Sequence, residues 1–165
     1  MRIEMPKSLR LEHDELKQCL AAAQGEHGEL GRALRRVGRL LETHFRREEA
    51  FAMPPLGLLA RLARGELEPA MAEVLPQAEW LKANLDTLHA EHQGIAAALE
   101  RLLAAAQAAG RSEWVEFAER LMNHARMEEE LTYPAAVLVG EYLRLRLGHR
   151  KTAFDPHQKK TLAAG

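Results

Sequence analysis

Two histidine–glutamate cassettes recur along the chain, and their residue types are those that bind metal ions. Each cassette opens with a Glu-His pair, and 31 or 32 residues after that histidine comes a second histidine with a glutamate four positions later. The pairs are Glu12-His13 and Glu91-His92, and the later motifs are His44-x-x-x-Glu48 and His124-x-x-x-Glu128. Histidine and glutamate at this spacing project from one face of a helix. Imidazoles and carboxylates that share a face are suited to metal coordination.

The cassettes belong to a longer internal repeat. A shift of 79 residues aligns Leu9, Glu12, His13 and Leu20 with Leu88, Glu91, His92 and Leu99. A shift of 80 aligns Leu41, His44, Glu48, Glu49 and Pro54 with Leu121, His124, Glu128, Glu129 and Pro134. Because every histidine, every glutamate and the trailing proline fall in register, the pattern indicates a duplicated helical hairpin.

Composition excludes several classes of function. The 165 residues carry a net charge of −1, so the chain has no electrostatic signature for nucleic acid or an anionic membrane. A single cysteine excludes an intrachain disulfide and a thiolate zinc site. No segment reaches the ~18 uninterrupted apolar residues of a membrane span, and residues 1–10 lack the apolar segment of a signal peptide. We therefore expect a soluble, cytoplasmic protein.

Ala, Leu, Glu and Arg dominate the chain, which favours helix throughout. The spacing of apolar residues predicts four long helices, running from about Ser8 to Gly25, Gly28 to Pro54, Pro76 to Ala109, and from Ser112 onward. Pro54-Pro55 is expected to end the second helix and Pro134 to interrupt the fourth, beyond which a further helical piece reaches about Leu147. Residues 56–75 are expected to form a connection with short helical pieces.

These elements predict an all-α fold, an up-and-down antiparallel four-helix bundle built from a duplicated helical hairpin, with short extra helices after helices 2 and 4. The bundle is expected to span residues 1–148, and residues 149–165 are expected to form a disordered tail. Six of the residues in the cassettes, the four histidines and the two later glutamates, fall on the apolar stripes and face the interior: His13, His44, Glu48, His92, His124 and Glu128. An unpartnered buried carboxylate costs several kcal/mol, and a bound metal removes that cost.

The number of donors favours two metal ions over one. A single ion takes about four to six ligands, whereas each half of this chain supplies two histidines and one carboxylate. Two such sets related by a pseudo-twofold axis would form a dinuclear centre, with the glutamates bridging the ions. Iron is the most natural occupant, and manganese or zinc also suits the donors. Buried His–Glu hydrogen bonding without metal is the alternative.

The motifs resemble those of the hemerythrin-like, or HHE cation-binding, family. The resemblance covers residues 8–140 and depends on the Glu-His of the odd helices, the His-x-x-x-Glu of the even helices and the proline after each. It implies an up-and-down bundle that holds a non-heme di-iron centre, with the two Fe ions bridged by an oxo or hydroxo group.

Hemerythrins proper use five histidines and two carboxylates. By resemblance, the metal ligands here are His13, His44, Glu48, His89, His92, His124 and Glu128. His89 supplies the fifth histidine, although it stands three residues before His92, where the oxygen carriers have a spacing of four. That departure, together with a glutamate four residues after His124, brings the chain closer to the broad bacterial HHE group.

The resemblance implies a binding protein that engages a small diatomic or peroxide ligand, such as O2, NO or peroxide, at an open metal position. One alternative is an enzyme with catalase-like or NO-reducing activity, for which Tyr133 is the candidate proton donor. Another is iron storage or sensing. These patterns do not determine the oligomeric state.

Several residues near the ligands have two interpretations. Glu12 and Glu91 either accept a hydrogen bond from a histidine ring or point sideways. Glu49 and Glu129 are expected to be surface charges rather than metal ligands. Tyr133 either donates a hydrogen bond to a bridging oxygen or to a bound small molecule, or is a core tyrosine near a helix end.

Overall fold

The structure is a computed structural model that describes residues 3–148 of the chain. Within this range the backbone forms helices and turns, with no β-strand, which confirms the all-α class. The predicted disordered tail, residues 149–165, lies outside the described residues. None of the helices in the described part combines the length and the mean hydropathy needed to cross a lipid bilayer.

Residues 3–148 contain seven α-helices: α1 Lys7–Ala22, α2 Gly28–Arg47, α3 Met53–Leu56, α4 Leu59–Ala63, α5 Leu75–Ala108, α6 Ser112–Met127 and α7 Tyr133–Leu147. Short 3₁₀ turns, Ala23–Gly25 and Pro69–Val74, precede α2 and α5. The four long helices predicted from periodicity correspond to α1, α2, α5 and α6. They pack together as a helical bundle, with α5 against α2, α6 and α7.

The prolines do not interrupt the second and fourth helical paths. A π-helical segment, Glu48–Ala52, joins α2 to α3, and another, Glu128–Thr132, joins α6 to α7. Pro54 and Pro134 are therefore the second residues of new α-helices. Proline is tolerated in a first helical turn because the backbone N–H that it lacks has no α-helical partner there. As a result α7 is 15 residues long, rather than the short helix predicted.

The six cassette residues form a polar layer between two apolar ones. On one side lies a cluster of buried residues from α1, α2, α5 and α6 that includes Leu16, Leu41 and Leu121. On the other side lies a cluster that includes Met53 and Tyr133. Since each fully buried leucine contributes ~1.5–3 kcal/mol, the layers hold the helices in place around the polar one.

Close packing of α7 on α5 positions the second apolar cluster. At Gly140 an added Cβ would lie 2.4 Å from the Cβ of Ala78, so no side chain fits between the two helices at this point. This contact holds α7 against α5 and directs Tyr133, the first residue of α7, toward the polar layer.

Candidate metal centre

Each long helix supplies one histidine to the polar layer, and each π-helical segment supplies one glutamate. The glutamates are the first residues of those segments, so the widened turn begins at the carboxylate in both halves. All six side chains are buried: His13, His44, Glu48, His92, His124 and Glu128. The duplicated motifs therefore converge in the interior, as the sequence predicts.

The donor atoms form two groups that can each hold a metal ion. Site 1 consists of His13, His124, Glu48 and Glu128, and site 2 consists of His44, His92, Glu48 and Glu128. In each group the four ligand atoms lie within 4.8 Å of one another. Both glutamates belong to both groups, and each half of the chain supplies one histidine to each site.

Each carboxylate directs one oxygen toward each site. Glu48 Oε2 is 3.7 Å from His13 Nε2, and Glu48 Oε1 is 3.4 Å from His44 Nε2. Glu128 Oε1 is 3.0 Å from His124 Nε2, and Glu128 Oε2 is 3.4 Å from His92 Nε2. The two oxygens of a carboxylate are thus divided between two centres.

The spacing of these atoms fits a coordination sphere. Donors that lie ~2.1 Å from a common ion are ~3.0–3.4 Å from their neighbours around it, for octahedral and tetrahedral arrangements respectively. Three of the donor pairs in site 1 are 3.0–3.7 Å apart, three in site 2 are 2.8–3.4 Å apart, and every pair within a site is within 4.8 Å. A small adjustment of the side chains places an ion between them.

The donors of site 1 lack hydrogen-bond partners within the protein. His13 Nε2, His124 Nε2, Glu48 Oε2 and Glu128 Oε1 are buried and make no hydrogen bond, although His124 and Glu128 approach each other. A buried polar group without a partner costs ~1–3 kcal/mol, and a charged one costs more. A cation that binds all four atoms removes this cost, so the residues fit a metal ion.

A second set of glutamates, called the outer glutamates, contacts the imidazole rings at Nδ1, the ring nitrogen that faces away from the two sites. Every Nδ1 atom of the four ligand histidines has a carboxylate partner, and the pairs are related by the repeat: His13–Glu49 at 3.1 Å, His92–Glu129 at 2.8 Å, His44–Glu91 at 3.0 Å and His124–Glu12 at 3.3 Å. A carboxylate on Nδ1 orients the ring and directs Nε2 to the metal.

These contacts show the role of each outer glutamate beside its histidine. Glu12 and Glu91 contact histidine rings rather than pointing sideways. Glu49 and Glu129 are outside both groups of ligand atoms, as expected, but their partly exposed carboxylates also contact imidazole rings, which was not predicted from the sequence. The signal that identifies them was present in the repeat, where Glu49 aligns with Glu129.

Basic residues hold two of the outer glutamates. Lys17 Nζ lies 2.6 Å from Glu49 Oε1, and Arg47 forms an ion pair with Glu91. Burial acts against the charged form of Glu49, but hydrogen bonds from Lys17 and His13 outweigh it and lower the pKa of its carboxyl. The carboxylate therefore stays ionised beside the His13 ring.

Three of the inner groups, Glu128, His44 and His124, have pKa values shifted toward their charged forms. Burial disfavours the charged form of Glu128, but the neighbouring imidazoles of His124, His13 and His92 hold the pKa of its carboxyl well below its usual range. For His44 burial also opposes the charge, and the neighbouring Glu48 carboxylate outweighs it, so the pKa of the imidazole is raised. The pKa of His124 is raised in the same way by Glu128. Protons and metal ions therefore compete for the same atoms.

Tyr133 is both a core residue and part of the centre. Its buried hydroxyl donates a hydrogen bond to Glu48 Oε1 and lies 3.3 Å from His92 Nε2. Its ring stacks on the His92 imidazole, with 5.7 Å between centroids. Burial and the nearby carboxylates of Glu48 and Glu128 raise the pKa of the phenol far above its usual value. In the metal-free protein Tyr133 is thus a hydrogen-bond donor.

His89 lies outside both sites. It is half-buried, and its ring centroid is 6.4 Å from that of Tyr133. A residue three positions before His92 is rotated ~60° around the helix, and His89 is not among the atoms that group with His92. The placement does not support the predicted ligand role of His89.

An apolar wall and a cavity adjoin site 1. The Phe45 ring stacks on His13, with 4.2 Å between centroids. A cavity of about 440 Å³ between α1 and α2 reaches Phe45 and Glu49, and Gly38 also lines it. Since Phe45 and Glu49 both contact His13, the cavity brings the surface close to site 1.

Comparison of the chain with protein-family models, curated proteins and solved structures finds no match. The functional interpretation therefore depends on the geometry of the site and on the duplicated motifs.

Proposed function

We propose that the chain is a non-heme di-iron binding protein of the hemerythrin-like type, which binds a small ligand such as O2, NO or peroxide at its metal centre. The observation that carries the proposal is the sharing of Glu48 and Glu128 by both sites, with one oxygen of each directed to each site. Carboxylates arranged in this way bridge two ions. Manganese or zinc could occupy the same donors.

The up-and-down topology is part of the proposal, and the order of contacts supports it. His13 in α1 contacts Glu49 just after α2, whereas Leu20 later in α1 lines a cavity with Gly38 earlier in α2. The helices of this hairpin therefore run in opposite directions. In the second hairpin His92 contacts Glu129, and the chain turns back after Ala108.

When bound, the irons supply a redox-active Lewis-acidic centre for a small ligand. The chain's own residues determine what reaches it. The ligand layer is buried between two apolar clusters, and Phe45 covers His13. Such walls exclude bulk water and admit only small molecules. The outer glutamates keep each Nε2 atom directed inward.

An enzyme with catalase-like or NO-reducing activity is the second candidate. It requires a proton donor beside the ligand atoms, and the Tyr133 hydroxyl occupies that position. The rate of peroxide decay in the iron-loaded protein tests this candidate. A rate that is unchanged by Tyr133→Phe would remove Tyr133 from the role of proton donor.

Metal content per chain tests the main proposal. After anaerobic reconstitution with ferrous iron and removal of excess metal, we expect elemental analysis to give about two irons per chain. The spectrum of the oxidised protein should change on addition of azide, a small anion that binds ferric iron. One zinc per chain, or no metal after reconstitution, would contradict the proposal. A variant with Glu48→Ala and Glu128→Ala together serves as the control for adventitious iron.

A further inference from the structure

One of the differences between the two sites is at a repeat-related position that carries a polar group in only one half. Tyr133 follows Glu128 by five residues, and the residue in the same place after Glu48 is Met53. Both side chains are fully buried in the same apolar cluster. Only the tyrosine carries an oxygen, so the duplication gives the centre a single hydroxyl at this pair of positions.

That hydroxyl lies among the donor atoms of site 2. It contacts Glu48 Oε1 and is 3.3 Å from His92 Nε2, and both of these atoms face site 2. The 3.3 Å between the Tyr133 oxygen and His92 Nε2 is similar to the distance between other donors of the same site, such as the 3.4 Å between His44 Nε2 and Glu48 Oε1. Neighbouring ligands ~2.1 Å from one ion have such separations. The oxygen of Tyr133 therefore occupies the place of a fifth donor.

We propose that Tyr133 is a phenolate ligand of the metal at site 2. The inference rests on the proposed function and makes the two ions inequivalent. Site 2 then has five protein donors and site 1 has four, so the small ligand binds at site 1. On binding, the O–H bond of Tyr133 breaks, an O–metal bond forms and the proton leaves to solvent. Nothing is oxidised or reduced in this step.

The surroundings of site 1 agree with this assignment. The cavity between α1 and α2 reaches Phe45 and Glu49, which both contact the site 1 ligand His13. On the side of site 2 the space beside His92 is filled by the stacked Tyr133 ring. A small molecule that arrives through the cavity therefore meets site 1 first.

Visible absorption of the ferric protein tests the ligand role. A phenolate bound to ferric iron gives a charge-transfer band in the visible region, and excitation in that band enhances phenolate ring vibrations in the resonance Raman spectrum. We expect the wild-type protein to show both signals and Tyr133→Phe to lose them. The chain has one other tyrosine, Tyr142, which is exposed, so Tyr142→Phe is the matched control and should keep both signals.

Azide binding to the ferric protein tests the consequence. We expect one azide per wild-type chain, and a second azide in Tyr133→Phe, because removal of the phenolate opens a position at site 2. Two azides per wild-type chain would overturn the assignment.

The failures of the two proposals are distinguishable. A chain that binds no iron pair contradicts the proposed function itself. A chain that binds two irons but lacks phenolate vibrations overturns only the role of Tyr133. If Tyr133→Phe loses iron, the Raman spectrum of the wild-type protein decides alone, because it requires no variant.

Discussion

The two hairpins of this protein are alike where they contact the proposed metals and different around them. Each supplies two histidines, one shared glutamate and two outer glutamates at repeat-related positions. Beyond these residues the halves diverge, with Met53 opposite Tyr133 and Phe45 opposite Ala125. The two halves therefore share the donors and their supporting glutamates and differ in the residues that surround them.

The same divergence separates the two sites. In site 1 none of the four donor atoms makes a hydrogen bond. In site 2 His44 Nε2 and His92 Nε2 lie 2.8 Å apart in a hydrogen bond, and Tyr133 donates to Glu48. The two sites therefore have the same ligand types in different environments. Substitutions at repeat-related positions test whether the two sites bind metal equally.

Loss of a shared carboxylate should have the largest effect, because it removes a donor from both sites at once. We expect Glu48→Ala and Glu128→Ala each to lose at least one metal per chain, measured by elemental analysis after reconstitution. The exposed Glu130 provides the control, and Glu130→Ala should keep full metal content. Full content in both variants of the shared pair would show that neither carboxylate bridges the sites.

Removal of an outer glutamate should affect one site only. Glu49→Ala frees the His13 ring of site 1, and Glu129→Ala frees the His92 ring of site 2. Loss of such a partner typically lowers metal affinity by ~10–100-fold, so we expect one zinc of two to weaken by that factor in each variant. Competition with a chelator measures both affinities. Glu42→Ala, at a side chain that is 72% exposed, is the control and should leave them unchanged. Weakening of both ions together would contradict the separation of the sites.

Acidification should release metal from both sites over one pH range, because each site contains one histidine of raised pKa, His124 or His44. As pH falls through these pKa values, which lie above the ordinary 6.5, protons displace the metal. Affinity then falls by about tenfold per pH unit for each histidine that takes up a proton.

The metal-free protein should respond to pH in the opposite direction in this range. Protonated His44 and His124 stabilise the fold through their glutamates, fully below pH 6.5, and this stability is lost as pH rises through the raised pKa values. At lower pH the depressed pKa of Glu128 adds a second loss as the pH falls. Thermal unfolding of zinc-loaded and metal-free protein across pH measures both trends. Equal slopes around and above pH 6.5 would show that protons and metal do not share these atoms.

Narrowing the cavity beside site 1 should have the smallest effect. Outside its own turn of helix, no heavy atom lies within 4 Å of a Cβ built at Gly38, so a side chain can begin there, and Gly38→Leu is expected to narrow the cavity. We expect a several-fold slower rate of azide binding, measured by stopped-flow absorption, at unchanged iron content. Gly94 is also helical with open space around it, and Gly94→Leu controls for the gain in helix propensity. Equal rates in the two variants would show that ligands reach the centre by another route.

The sequence alone determined the helical class, the bounds of α5 to within a residue, and the six residues that converge in the interior. These follow from local rules, since helical spacing decides which side chains share a face and duplication doubles the signal. The interruption of the helical path predicted at each proline was wrong, because the π-helical segment that precedes each proline is a property of the folded backbone.

Only the tertiary structure decided which histidine joins which site and what surrounds it. Site 1 contains His13 and His124, and site 2 contains His44 and His92, so each site has one histidine from each of the two hairpins. The contacts of Glu49 and Tyr133 also join residues distant in the sequence. Periodicity specifies the face of one helix at a time, whereas these contacts depend on how the helices are placed against one another, and packing of the whole core sets that placement.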